Sequence, residues 1–180
     1  MRIIAGAAKG RRLASPGAAT RPMTDRAREG LFSSLGPTPI GAAVLDLYAG
    51  SGSLGLESLS RGAGSVVFVE RDRRSLGALR ANVEAVGLGG EVIAADVEEY
   101  LDRGADGFDL SFVDPPYALS LPSVERILGK LAPSMVEGGI VVLHRRAADE
   151  RPQLDLLFAV TDRRRYGDAE ITRLVKETEH

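Results

Sequence analysis

The chain has 180 residues, of which 44% are hydrophobic and 27% are charged, a composition that predicts one globular domain with a substantial core. It has no cysteine and only two histidines, His144 and His180, which excludes a disulfide framework, a thiolate zinc site and a cysteine nucleophile. We therefore expect no metal site. The formal net charge is -2, yet residues 1–30 alone carry +5, and the remainder carries -7.

The basic N-terminal segment predicts contact with a polyanion. The alternative is a solvated, charged arm that has no partner. No apolar stretch approaches the roughly 20 residues that span a bilayer, and the first residues lack the apolar core of a secretion signal. We expect a soluble, cytoplasmic protein.

Residues 1–38 are predicted to form an extension ahead of the main domain. Residues 2–6 and 10–13 suggest a small β-hairpin. Thr24 is a candidate N-cap for a helix that ends near Leu35, where a glycine and two prolines follow.

Residues 39–180 alternate between apolar runs and segments of helix length. The runs occupy residues 43–48, 65–70, 91–95, 108–113 and 139–143, and the helix-length segments lie at roughly 53–63, 72–87, 97–103 and 120–132. Continuously apolar strands are typical of a sheet that helices cover on both faces. The alternation predicts a mostly parallel, doubly wound α/β sheet.

The tail departs from this alternation. Residues 157–161 and 169–175 flank a turn at 166–168 with no helix between them. They predict an antiparallel hairpin that brings the sheet to seven strands.

A glycine-rich turn follows the first predicted strand. Residues 50–55 match G-x-G-x-x-G, and Glu70 ends the second strand about 20 residues later. Ligands in such sheets bind outside the carboxyl ends of the strands, so Glu70 can reach a ribose diol. By itself this pattern fits NAD as well as S-adenosylmethionine.

Two further acids lie near strand ends. Asp46 precedes the turn, and its charge would repel a pyrophosphate and attract an ammonium and a sulfonium. Its alternative role is to brace the turn. Asp96 can accept from the amino group of adenine while the Val97 N–H donates to a ring nitrogen. Asp96 can also be a helix N-cap, and both roles can hold.

The fourth apolar run ends in Asp114-Pro115-Pro116-Tyr117. Proline has no N–H for a strand ladder, so a buried strand must stop here. The chain then presents a carboxylate, rigid carbonyls and an aromatic ring. Asp114 and the Pro115 carbonyl can accept the two hydrogens of a planar amino group, and Tyr117 can stack on a nucleobase that carries this group. The alternative is a structural strand terminator with a packed tyrosine.

These motifs resemble those of known enzymes. Asp46-Leu47-Tyr48-Ala49-Gly50-Ser51-Gly52 and Asp114-Pro115-Pro116-Tyr117 resemble the cofactor and catalytic motifs of class I S-adenosylmethionine-dependent amino-methyltransferases. Ile4-Ala5-Gly6, Lys9-Gly10-Arg11-Arg12-Leu13 and residues 21–29 resemble the RsmD family, whose members methylate the exocyclic N2 of a guanine in 16S small-subunit ribosomal RNA. The resemblance covers nearly the whole chain.

The resemblance implies a Rossmann-like class I methyltransferase fold, S-adenosyl-L-methionine as cofactor, and ribosomal RNA, free or in an assembled small-subunit particle, as partner. We expect a monomer. The implied catalytic residues are Asp114, Pro115, Pro116 and Tyr117. The implied cofactor-binding residues are Asp46, Tyr48, Gly50, Ser51, Gly52, Glu70, Arg71, Asp96 and Val97.

A base inside a helix cannot reach such a pocket, so we expect a flipped or unpaired target nucleotide. The basic extension would hold neighbouring phosphates. The predicted RNA contacts are Lys9, Arg11, Arg12 and Arg21, and weaker candidates are Arg145, Arg146 and residues 163–165.

Three other functions fit parts of the pattern. An amino-methyltransferase acting on DNA adenine N6 or on another RNA base would use the same clamp, although the chain has no obvious separate sequence-reading domain. A nicotinamide-dependent oxidoreductase would leave residues 114–117 unexplained. A non-catalytic RNA-binding module would bind RNA without transferring a methyl group.

Overall fold

The computed structural model describes residues 1–17, 22–154 and 156–178. Arg21, one of the predicted RNA contacts, and His180 lie outside the described residues. Seven strands in the described part form one sheet. They are β1 (Ala43–Leu47), β2 (Ser65–Glu70), β3 (Glu91–Ala94), β4 (Phe108–Val113), β5 (Met135–Arg146), β6 (Phe158–Tyr166) and β7 (Ala169–Lys176).

The strand order is β3-β2-β1-β4-β5-β7-β6. Strands β1 to β5 pair in parallel, whereas β7 is antiparallel to both β5 and β6. This order confirms the predicted sheet with its antiparallel terminal hairpin. Strand β5 extends beyond its apolar run at both ends, because Met135 pairs with Phe108 of β4 and the cleft end pairs with β7 as far as Arg146.

Helices precede the sheet and connect its parallel strands. They are α1 (Asp25–Leu35), α2 (Ser53–Ser60), α3 (Arg73–Val86), α4 (Val97–Leu101) and α5 (Leu121–Leu131), followed by a short 3-10 helix over Ala132–Ser134. Thr24 is the N-cap of α1, as predicted, and its hydroxyl accepts from the Ala27 N–H at 3.1 Å. Within the described ranges, no helix combines the length and the hydrophobicity that crossing a bilayer requires.

The core lies on both faces of the sheet. One cluster packs α1, α2 and α3 against residues such as Phe68 and Phe112, and the other packs α4 and α5 against residues such as Leu47. Adjacent residues of β1 alternate between them, because Val44 enters the first cluster and Leu45 the second. Two buried faces explain why the strands are apolar at almost every position.

The N-terminal extension shares its core with the sheet. Its hairpin has a single bridge between Arg2 and Arg12, and the buried side chains of Ile3 and Leu13 join the same cluster as Phe68. Beneath the hairpin lies Glu57 of α2, which is fully buried. The extension therefore has no separate core.

The Glu57 carboxylate holds this extension in place. It accepts from the backbone N–H of Ile4 at 2.9 Å and of Ala5 at 3.1 Å, and from Arg61 Nε at 2.8 Å. We expect Glu57→Ala to lower the free energy of unfolding by about 3 kcal/mol, because two N–H groups lose a charged acceptor. Urea denaturation followed by circular dichroism measures this change.

Glu84→Ala is the matched control, because Glu84 is exposed on α3. Its effect should stay within about 0.5 kcal/mol. Equal losses in the two variants would show that Glu57 does not anchor the extension.

Candidate active site

A cleft of about 870 Å³ opens at the carboxyl ends of β1, β2, β3 and β4. Its volume lies within the roughly 300 to 1,000 Å³ of small-molecule sites. The chain runs from β1 outward to β2 and β3, and then returns to place β4 on the other side of β1. The cleft therefore lies at the topological switch point, where doubly wound sheets bind their ligands.

The cleft brings both sequence motifs together. Eleven of the thirteen predicted cofactor-binding and catalytic residues line it. They are Tyr48, Gly50, Ser51, Glu70, Arg71, Asp96, Val97, Asp114, Pro115, Pro116 and Tyr117. Asp46 and Gly52 do not line it.

The glycine turn depends on left-handed backbone. Gly50 has φ 58° and Gly52 has φ 83°, values that favour glycine. A Cβ added to Gly52 would lie 2.5 Å from Leu79 Cδ1, so this glycine also lets the turn pack against α3. Gly52 thus shapes the turn from behind, away from the cleft.

Tyr48 is unusual because it adopts a left-handed conformation, φ 58°, with a bulky side chain. Such strain is typical of functional sites, where the surrounding structure holds it in place. Burial raises the pKa of Tyr48 to about 12, so its hydroxyl keeps its proton and remains a hydrogen-bond donor.

The structure corrects the role expected of Asp46. Its side chain is 1% exposed, and Oδ2 accepts from the Gly55 N–H at 2.9 Å. Burial raises its pKa well above the usual range. Asp46 therefore braces the start of α2, which was the alternative role, and a buried, readily protonated acid cannot select a ligand by its charge.

Glu70 supplies the charge beside the glycine turn instead. Its Oε2 accepts from the Gly50 N–H at 2.8 Å, and its Oε1 accepts from the N–H groups of Arg71 at 2.8 Å and Asp72 at 2.9 Å. A pyrophosphate would need the same Gly50 N–H that this carboxylate already occupies.

The cleft as a whole is acidic. Five carboxylates line its described part, whereas only two arginines do, Arg71 and Arg126. The five are Glu70, Asp72, Asp96, Glu98 and Asp114. This excess favours a cationic ligand over a pyrophosphate.

Asp96 is the N-cap of α4, which was the second of the two roles predicted for it. Its Oδ1 accepts from the N–H groups of Glu98 at 2.9 Å and Glu99 at 3.3 Å. Its Oδ2 lies 3.1 Å from Arg71 Nη1, an exposed ion pair that holds it weakly. Among the described residues no partner is found for the Val97 N–H, which leaves this donor available at the cleft wall.

The free acceptors at the end of β4 match the predicted amine clamp. Asp114 Oδ1 lies 2.6 Å from His144 Nδ1, and its second oxygen has no hydrogen bond to any described residue. The Pro116 carbonyl accepts from the Leu119 N–H at 2.9 Å, whereas no donor to the Pro115 carbonyl is found in the described chain. One carboxylate oxygen and one carbonyl thus remain unpaired.

Tyr117 is half-buried and lines the cleft instead of packing into the core. The guanidinium carbon of Arg146 lies 4.7 Å from its ring centroid. The His144 ring contacts it edge-on at 5.9 Å between centroids. These contacts fix the ring plane, which a stacking platform requires.

Sequence reasoning missed the role of His144, and it gave Arg145 only as a weaker candidate for RNA contact. Arg145 Nη2 donates to the Leu119 carbonyl at 3.0 Å and pairs with Asp149, so it anchors the loop after Asp114. His144 directly follows the apolar run 139–143, and Asp114 directly follows the apolar run 108–113. The parallel register of Val113 with Leu143 brings the two together, and this shared position was the available signal.

Asn82 is a third residue that the sequence did not reveal. Its amide nitrogen donates to the carbonyls of Ser51 and Ala14, both at 2.9 Å, and its oxygen accepts from the Ala14 N–H at 2.7 Å. It joins the glycine turn to the N-terminal extension, which places Ser15 and Pro16 at the cleft.

The predicted RNA contacts Lys9, Arg11 and Arg12 are exposed but do not line the cleft. Arg11 Nη1 donates to the carbonyl of Ala85 at 2.7 Å, at the last turn of α3. The Ala7 N–H donates to the Ser60 carbonyl at 2.7 Å, at the end of α2. Helices α2 and α3 begin near the carboxyl ends of β1 and β2, so they end near the opposite edge of the sheet. The hairpin tip contacts these helix ends and therefore lies on the side away from the cleft.

Comparisons with known proteins agree with this geometry. The family model described as Conserved hypothetical protein 95 matches residues 1–175. YlbH of Bacillus subtilis strain 168, named as an rRNA methyltransferase, is 36% identical over 174 residues, which are 93% of this chain and 94% of YlbH. Ribosomal RNA small subunit methyltransferase D of Escherichia coli K12 is 39% identical over 123 residues, 67% of this chain and 62% of that protein.

Solved structures with the same fold include relatives from two bacteria. The Escherichia coli protein yhhF, titled a methyltransferase, superposes with a TM-score of 0.89 at 28% identity and covers 99% of both chains. A hypothetical protein of Thermus thermophilus gives a TM-score of 0.82 at 35% identity, again over 99% of both chains. The predicted class I methyltransferase fold is confirmed, and the chain belongs to the RsmD-type methyltransferase family.

Proposed function

We propose that this protein transfers a methyl group from S-adenosylmethionine to the exocyclic N2 of a guanine in small-subunit ribosomal RNA. The observation that carries the proposal is one acidic cleft that contains both the glycine turn and the free acceptors of Asp114 and Pro115. The name of the Escherichia coli relative gives small-subunit ribosomal RNA as the object of methylation.

The residues of the cleft fit S-adenosylmethionine. This cofactor supplies an electrophilic methyl group on a sulfonium that is a ready leaving group. Glu70 can accept from ribose hydroxyls while it keeps its backbone bonds, because a carboxylate has about four acceptor positions. Asp96 and the Val97 N–H would hold the adenine, and the acidic lining would offset the positive charge.

The residues after β4 would activate the amine. The lone pair of an exocyclic base nitrogen is delocalised into the ring, which makes it a poor nucleophile. When Asp114 and the Pro115 carbonyl accept its two hydrogens, the lone pair turns out of the ring plane, and positive charge that develops on nitrogen is stabilised. Holding the reacting atoms in line supplies much of the remaining rate.

The target base must be unpaired, because a stacked base cannot enter the cleft. Tyr117 offers it a ring face, since Arg146 and His144 already fix the ring. We propose that the exposed arginines of the extension hold the backbone of the RNA. We propose that the protein acts as a monomer on ribosomal RNA, either free or in an assembled small-subunit particle.

Calorimetry and methyl-transfer assays test the cofactor and the clamp. We expect S-adenosylmethionine to bind and NAD not to bind, because Glu70 occupies the Gly50 N–H. Asp114→Ala should lower kcat by about 100-fold or more, with cofactor affinity within about threefold, because it removes an acceptor for the developing charge. Mass mapping of the methylated RNA identifies the base and the modified atom.

Asp106→Ala is the matched control, because Asp106 is an exposed carboxylate outside the cleft. It should retain full activity. NAD binding without S-adenosylmethionine binding would refute the proposal. A product methylated at the amino group of adenine would show that guanine N2 is not the target.

The extension is tested by the salt dependence of RNA binding. Arg12→Gln should weaken binding and reduce the slope of log K against log salt by about 0.7, the value of one phosphate contact on a single strand. Filter binding over a salt range of roughly 50 to 200 mM, in which such contacts change affinity strongly, measures it. Arg103→Gln, an exposed arginine outside the cleft, is the control. Equal slopes of log K against log salt in the wild type and in Arg12→Gln would show that Arg12 does not contact the RNA.

A further inference from the structure

We propose that His144 is a positioning residue for methyl transfer: it holds the Asp114 carboxylate with one oxygen engaged and the other free for the amine. The inference rests on the function proposed for this cleft, and it concerns a side chain that neither motif contains. His144 lies on β5, next to the end of β4.

The two side chains are placed by the sheet itself. Val113 pairs with Leu143, so the next residues of the two parallel strands, Asp114 and His144, emerge side by side. His144 Nδ1 and Asp114 Oδ1 are 2.6 Å apart, a short contact of the kind made by charged groups. The imidazole is 5% exposed, whereas the carboxylate is 27% exposed.

The surroundings of the ring decide where its proton lies. His144 Nε2 is buried and has no partner among the described residues. A proton on Nε2 would therefore be a buried donor without an acceptor, and this holds both for the imidazolium and for the neutral Nε2–H tautomer. Orphaned donors are rarer than orphaned acceptors in folded proteins. The neutral ring with its proton on Nδ1 is the state with the smallest penalty.

This tautomer determines what Asp114 can do. Because Nδ1–H donates to Oδ1, this oxygen is engaged as an acceptor, and the second oxygen of an ionised carboxylate is an acceptor only. A protonated Asp114 would present a hydroxyl to the amine and lose half of the clamp. The bond also selects one rotamer, so that the second oxygen is left for the substrate.

The same arrangement provides a path for the proton. When the nitrogen–methyl bond forms and the sulfur–methyl bond breaks, the amine nitrogen holds one proton too many. That proton passes to the free oxygen of Asp114, while the other oxygen keeps its bond from Nδ1–H. The partly exposed acid then releases the proton to water, and His144 stays neutral throughout.

Two substitutions separate positioning from packing. His144→Leu removes the donor and keeps an apolar side chain of similar reach, whereas His144→Asn can place an amide donor close to the Nδ1 position. We expect His144→Leu to lower kcat by about 10- to 100-fold, the size of a misplaced catalytic group, with the KM for S-adenosylmethionine within about twofold. His144→Asn should recover kcat to within about threefold of wild type.

Val142→Ala is the packing control. Val142 lies two residues earlier on β5, is 1% exposed and belongs to the core cluster on the same sheet face. It should lower the thermal unfolding midpoint and leave kcat unchanged. An unaffected kcat in His144→Leu would overturn the inference, as would an equal kcat loss in His144→Asn or in Val142→Ala.

Nitrogen-15 NMR of the wild type tests the tautomer directly. We expect the His144 ring to show a protonated Nδ1 and an unprotonated Nε2, with the signal assigned by its loss in His144→Asn. A protonated Nε2 would overturn the inference even when the enzyme is active. A wild-type protein that methylates no ribosomal RNA would instead refute the proposed function, whatever the tautomer.

Discussion

The site depends on the placement of every parallel strand end at one edge of the sheet. Crossover connections let β1, β2, β3, β4 and β5 run in the same direction, so residues as distant in the chain as Tyr48 and His144 meet in one cleft. The glycine turn after β1 lies beside the end of β4 because these strands are neighbours. Neither motif forms a site alone, and their adjacency follows from the reversal of strand order at β1.

Buried polar groups connect the extension, α2 and the glycine turn. Asp46 braces the start of α2, Glu57 holds the extension, and Asn82 joins the extension to the glycine turn. Arg28 of α1 is fully buried, donates to the Arg2 carbonyl and pairs with Asp25. Burial lowers its pKa, and two of its nitrogens have no partner in the described chain. Hydrogen bonds of Glu57 and Asn82 thus join the extension to α2 and to the glycine turn of the cleft.

Charge is distributed in two opposite ways. The cleft is lined by an excess of carboxylates, which suits a cationic cofactor, whereas the first 30 residues carry a net charge of +5, which suits a polyanion. Tyr117 lines the cleft and is held between Arg146 and His144.

The sequence by itself determined the strand–helix alternation, the helix cap at Thr24 and eleven of the residues that line the cleft, because these depend on local pattern. It could not determine the role of Asp46, because an acid before a glycine turn gives the same sequence pattern whether its side chain faces a ligand or accepts from Gly55. It did not distinguish Arg11, whose guanidinium donates to a carbonyl in the last turn of α3, from an arginine that is available to bind RNA. Nor did it pair His144 with Asp114, 30 residues apart. Burial, register and the neighbours of a charged group arise from packing between distant segments, and only the tertiary structure decided them.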